Sequence, residues 1–177
     1  MADWSVNTSK NVVYERTSDN TKHNLKKVIY NGVTVWSAET TITVNKSATI
    51  SQNWADGEYA STPVYSSAIA TIDCTNYSYA DVIVKYTKDS DITNTTTGAL
   101  RQDGYIDIGT SRSSALYTWK SDRTNGTETL EGGTAVNTWK TLTININSLT
   151  GLQSVKAYGS NSAMSATFTI STIRLYN

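Results

Sequence analysis

The chain has 177 residues, carries 15 basic and 15 acidic side chains, and is dominated by 29 Thr, 21 Ser and 15 Asn. Zero net charge without a basic patch argues against a nucleic-acid partner, and apolar runs of only a few residues give no candidate for a membrane-spanning helix. A single cysteine, Cys74, excludes an internal disulfide.

Residues 1–24 are the least patterned and read as a first strand, an arm that packs on a neighbour, or a disordered lead-in. The start, Met1-Ala2-Asp3-Trp4-Ser5-Val6, has neither a basic segment nor an apolar one, so no signal peptide is expected. Synthesis in a cytoplasm is therefore expected, and action elsewhere would require release by assembly into a larger particle or by lysis. His23, the only histidine, falls in the polar run Asn20-Thr21-Lys22-His23-Asn24. With no Asp or Glu beside it to orient a catalytic base, it reads as a solvated loop residue.

The clearest local signal comes next. Leu25-Lys26-Lys27-Val28-Ile29-Tyr30 and Val33-Thr34-Val35-Trp36 flank Asn31-Gly32. Asn-Gly accepts the positive φ angles of a type I′ turn, so the pattern predicts a tight hairpin. From residue 25 to 177 no composition shift marks a boundary, and a single β-sandwich domain is expected. Residues 41–44 and 49–51 read as strands, and 53–59 as a turn-centred segment carrying Trp54. Residues 67–74 read as a strand with Cys74 as a small core side chain, and 81–86 as a strong strand. Residues 88–98 are polar and read as a loop.

Strand signals resume at 104–109 and 115–120, followed by a second polar stretch from 121 to 133. The last third gives strands at 140–146, 154–158 and 167–176. In the final one Phe168 and Ile170 share one parity, Ile173 and Leu175 the other. A bulge near Ser171-Thr172 would keep all four pointing inward. No window shows the 3.6-residue period of a helix. Nine or ten short strands at fairly even spacing argue for an antiparallel sandwich or a barrel over an α/β fold.

Alternation also sorts the aromatic residues by face. If Ile106 and Ile108 are core, Tyr105 and Asp107 lie outside; if Leu116 is core, Tyr117 and Trp119 lie outside. Leu142, Ile144 and Ile146 inward put Trp139 outside, and Val33 and Val35 inward put Trp36 outside. Aromatic planes stack on the apolar faces of sugar rings while nearby polar groups bind the hydroxyls, within the usual layout of a small-ligand site. The candidate glycan-binding residues are Tyr105, Asp107, Arg112, Tyr117, Trp119 and Trp54; Trp36 and Trp139 are assigned to structural packing.

A glycosidase needs two carboxylates across the scissile bond. The pairs Asp56/Glu58, Asp89/Asp91 and Asp103/Asp107 supply the residue types, but each lies near a glycine or in a polar run where Asp forms turns. No catalytic residue is expected. Asp89-Ser90-Asp91 matches part of a calcium loop without its acidic end residue, so structural calcium is a minority reading. No other cofactor or metal is expected.

Two stretches carry a family resemblance. Residues 25–36 resemble a "KKVIxNGVTVW" segment of tail and minor structural proteins of phages and prophages from low-GC Gram-positive bacteria. The rest resembles carbohydrate-binding-module-like jelly rolls. Residues 71–86 supply an "(A)TIDxxxYxxxxVxY" element, Tyr105 to Ile108 a "YIxI" strand, and Thr167 to Tyr176 the closing "TFTISxIxLY". The resemblance covers about 150 of the 177 residues. It implies a non-enzymatic virion protein of jelly-roll fold on a tail or appendage. Its partners would be other virion proteins and host surface glycans, and its state a homo-oligomer. Two other classes stay open. One is a purely structural decoration or assembly module with an aromatic subunit interface; the other is a glycan-degrading enzyme with two carboxylates in a cleft.

Overall fold

A computed structural model describes residues 39–51, 64–92, 99–122, 127–160 and 164–177, together with the backbone of four short strands nearer the N-terminus. In chain order the strands are β1 (Val13–Glu15), β2 (Lys22–Asn24), β3 (Lys27–Tyr30), β4 (Val33–Ser37), β5 (Glu39–Ile50), β6 (Val64–Tyr65), β7 (Ala70–Asp73) and β8 (Tyr79–Lys88). Then follow β9 (Ala99–Ile108), β10 (Ser111–Arg112), β11 (Tyr117–Asp122), β12 (Thr127–Gly133), β13 (Lys140–Asn145), β14 (Leu152–Gly159) and β15 (Ala166–Tyr176).

The protein is an antiparallel β-sandwich. One sheet runs β12-β11-β9-β14-β6, with β10 paired to β9 and β7 paired to β14; the other runs β13-β8-β15-β5. Eight strands form nested antiparallel pairs that alternate between the sheets. β5 pairs with β15, β7 with β14, β8 with β13, and β9 with β11. β1 and β2 pair with each other, as do β3 and β4. The β3–β4 pairing aligns Tyr30 with Val33, which leaves the two-residue connection expected at Asn31-Gly32.

The inward faces are apolar for the reason the alternation gave. Ala80, Val82, Val84 and Tyr86 on β8 meet Ile106 and Ile108 on β9 and Val155 and Ala157 on β14 within one buried cluster. Each fully buried Ile, Val or Phe contributes about 1.5–3 kcal/mol. β15 contains the expected irregularity. Its register against β8 shifts between Ile170 and Thr172, with Ser171 the extra residue. Phe168, Ile170, Ile173 and Leu175 are all buried as a result. Opposite the same point β5 passes through Asn45 at φ 47°, in the left-handed region that Asn tolerates better than most residues. Cys74 is buried in the core.

Three expectations are corrected. Residues 41–44 and 49–50 belong to one twelve-residue strand, β5, because β15 pairs with it along its length. The stretch 121–133 contains β12, whose polar residues alternate in exposure once β11 supplies a hydrogen-bonded neighbour. Tyr117 points inward: it is fully buried, with ring centroids 4.3 Å from Tyr86 and 5.8 Å from Phe168. Leu116 is also buried but precedes the strand, so strict alternation does not connect it to Tyr117.

Candidate functional site

The outer face of the larger sheet gathers the polar and aromatic side chains that its core-facing residues leave outside. On β9, Ile106 and Ile108 are buried inward, which turns Tyr105 and Asp107 outward, as the alternation predicts. On β14, buried Val155 and Ala157 turn Ser154, Lys156 and Tyr158 outward. Strand register then builds two rows across the sheet. Arg112 on β10 pairs with Asp107 on β9, which pairs with Lys156 on β14. Tyr105 on β9 pairs with Tyr158 on β14, which pairs with Tyr65 on β6.

Arg112 ties the rows together. Its Nε and Nη2 each donate to Asp107 at 2.8 Å, a fork-on-carboxylate pair. Nη2 also donates to the Tyr65 hydroxyl at 3.3 Å. The guanidinium carbon lies 3.5 Å from the Tyr158 ring centroid and 5.3 Å from that of Tyr105. Hydrogen bonding to Asp107 outweighs partial burial and holds the Arg112 guanidinium charged above its usual range. Tyr65 and Tyr158 meet at a centroid separation of 4.9 Å, tilted by 57°. Because Arg112 covers one face of Tyr158, Tyr65, 51% exposed, is the ring of this cluster most open to solvent.

Beside the rows lies a cleft of about 400 Å³, lined by Tyr65, Asp107, Gly109, Leu152, Gln153, Ser154 and Lys156. That volume falls within the range of small-ligand sites. β9 turns into β10 through Gly109-Thr110, with Gly109 at φ 55°. A positive φ at the first residue of a two-residue loop favours glycine. A side chain at Gly109 would also collide with the Gln153 amide, so glycine lets that amide reach the cleft wall.

The six candidates therefore separate. Tyr105, Asp107 and Arg112 come together on one face. Tyr117 lies in the core. Trp119 faces inward at its margin: its Nε1 donates to the Tyr86 hydroxyl at 2.9 Å, and Lys88 Nζ sits 4.9 Å from its ring. Trp54 lies outside the described residues, as do Asp56, Glu58 and the side chains of His23 and Trp36. Trp139 is outward as expected, 46% exposed, with Lys85 Nζ 5.0 Å from its ring. Tyr65, Lys156 and Tyr158 were missed. Alternation in Ser154-Val155-Lys156-Ala157-Tyr158 carried the signal for the last two; nothing local marks Tyr65, whose strand has two residues.

The carboxylates have structural partners. Asp103 bonds Arg101 at 3.1 Å and accepts from Thr118 at 2.6 Å. Asp89 accepts from Thr167 at 2.6 Å, and Asp91 pairs with Lys88 at 2.7 Å. Lys88 also pairs with Glu128. Among the described residues no group of three or more His, Cys, Asp or Glu is placed to hold a metal ion, and no helix is long and apolar enough to cross a membrane.

Compared with protein-family models, with curated proteins and with solved structures, the chain matches none.

Proposed function

We propose that this chain is a non-enzymatic, carbohydrate-binding jelly roll that works on a phage tail or appendage. The observation that carries the binding reading is the Tyr105–Tyr158–Tyr65 row, braced by Arg112 and bordered by the cleft. An exposed tyrosine ring offers an apolar plane for a sugar, and Ser154, Gln153 and Lys156 offer hydrogen-bonding groups for its hydroxyls. The jelly-roll reading is supported by the nested pairs, from β5 with β15 outermost to β9 with β11 innermost, that alternate between two sheets. The non-enzymatic reading is supported by Asp103 and Asp107, the acids beside the tyrosine row, each paired with an arginine. The phage setting rests on the sequence resemblance of residues 25–36 alone.

A glycan array probed with the labelled full chain tests the proposal, beside Tyr65→Ala and Trp139→Ala. Binding lost with Tyr65→Ala and kept with Trp139→Ala supports it. Binding lost only with Trp139→Ala moves the ligand to the other sheet, and no binding at all sinks the reading.

A second reading has its own observation. Tyr79, Ile83 and Trp139 are exposed on the outer face of the four-stranded sheet. Exposed apolar groups on one face favour contact with another protein, which fits an assembly module.

A further inference from the structure

One wall of the cleft carries a lysine that forms no ion pair among the described residues. Lys156 lies directly across from Asp107 in the β14–β9 register, and both line the cleft. Asp107 does not neutralise it, because both carboxylate oxygens are held by Arg112 at 2.8 Å. Among the described residues Lys156 forms no ion pair. Among the described residues Arg101 pairs with Asp103, Arg112 with Asp107 and Lys120 with Glu131. Asp73, opposite Leu152 on β7, accepts from its own turn at Thr75 N (2.9 Å) and does not line the cleft. The remaining walls are uncharged: Tyr65, Gly109, Leu152, Gln153 and Ser154.

We infer that the ligand of this cleft is an acidic saccharide, bearing a carboxylate or phosphate that meets the Lys156 ammonium. This rests on the carbohydrate reading of the same face and names its substrate class. The division of labour follows from the chemistry of each wall. Tyr65 supplies the plane for the ring. Gln153 Nε2 donates to the Thr150 carbonyl at 2.7 Å, which leaves the amide oxygen to accept from a sugar hydroxyl. Lys156 supplies a charge-assisted hydrogen bond to the anion, stronger than a neutral one and directional over three N–H groups. A neutral sugar would leave that charge to water, whereas an acidic one uses it.

The test is calorimetric and NMR titration of the full chain with three probes: galactotetraose, tetragalacturonate and a phosphorylated galactotetraose. Wild type is compared with Lys156→Gln and Tyr65→Ala. Expected is binding of an acidic probe at least about tenfold tighter than of the neutral one, as one charged hydrogen bond implies. Lys156→Gln should erase that preference, and added salt should weaken it. Which acidic probe binds more tightly distinguishes carboxylate from phosphate as the source of the anion. Equal binding of all three probes, unchanged by Lys156→Gln but lost with Tyr65→Ala, overturns the acidic class and leaves the carbohydrate reading standing. No binding of any probe, or binding indifferent to Tyr65→Ala, overturns both.

Discussion

The indole N–H of Trp119 donates to the Tyr86 hydroxyl at 2.9 Å, joining β11 in one sheet to β8 in the other. Tyr86 in turn donates to the Thr134 carbonyl at 3.0 Å. Removing that hydroxyl strands a donor and an acceptor at the edge of the core. Tyr86→Phe should therefore cost about 1–3 kcal/mol. Urea unfolding followed by tryptophan fluorescence measures it, and a change near zero would show that water replaces both bonds.

Gly104 and Tyr117 are cross-strand partners, and a side chain at Gly104 would run into the Tyr117 ring. The buried ring packs against Tyr86 and Phe168, so making room for a side chain at Gly104 disturbs the core. Gly104→Ala should destabilise by about 1–3 kcal/mol through overpacking. Gly132→Ala is the control: a side chain there meets nothing within 4 Å. Its effect should stay within about 0.5 kcal/mol. Equal denaturation midpoints for the two variants would contradict the packing account.

Asp81 supports the outer face of the four-stranded sheet. It bonds Arg174 at 2.8 Å, Thr143 at 2.7 Å and Tyr176 at 3.1 Å. Partial burial opposes its charge, but the hydrogen bonds from Thr143, Tyr176 and Arg174 and the Arg174 charge outweigh that and hold its carboxyl below the usual range. A depressed folded-state pKa gives stability that is present above the ordinary carboxylate value, about 4, and is lost as pH falls through the folded value. Asp81→Asn should lower stability at pH 7 by less than about 1 kcal/mol, since its Arg174 partner is about half-exposed and solvent screens the pair. It should also flatten the acid limb, so that the two proteins converge near pH 2. Parallel stability curves from pH 7 to pH 2 would refute this role.

Cys74 is fully buried, and burial followed by the neighbouring Asp73 charge pushes its thiol up from the ordinary cysteine value. The thiolate is the reactive form, so the native protein should resist a thiol reagent at pH 8. Labelling should begin only where urea opens the fold, with a rate that follows the unfolding equilibrium. Rapid labelling in the absence of urea would contradict a closed core at β7.

Local residue order determined the features that depend on neighbours in the chain. Period-two alternation gave the all-β class and the outward face of Tyr105 and Asp107. Asn31-Gly32 gave the β3–β4 hairpin, and the parity change between Ile170 and Ile173 gave the bulge at Ser171. Tertiary structure decided what depends on distant segments. Tyr117 turns inward because Gly104, thirteen positions earlier, leaves room for its ring. β12 exists because β11 offers an open edge to a polar stretch. Tyr65 joins the site because β6 lands beside Tyr158, more than ninety positions along the chain. Among the described residues Lys156 forms no ion pair, because the carboxylate across from it is held by Arg112. Alternation fixes a side chain's face within a strand, whereas strand order and register, set by long-range pairing, choose which side chains meet.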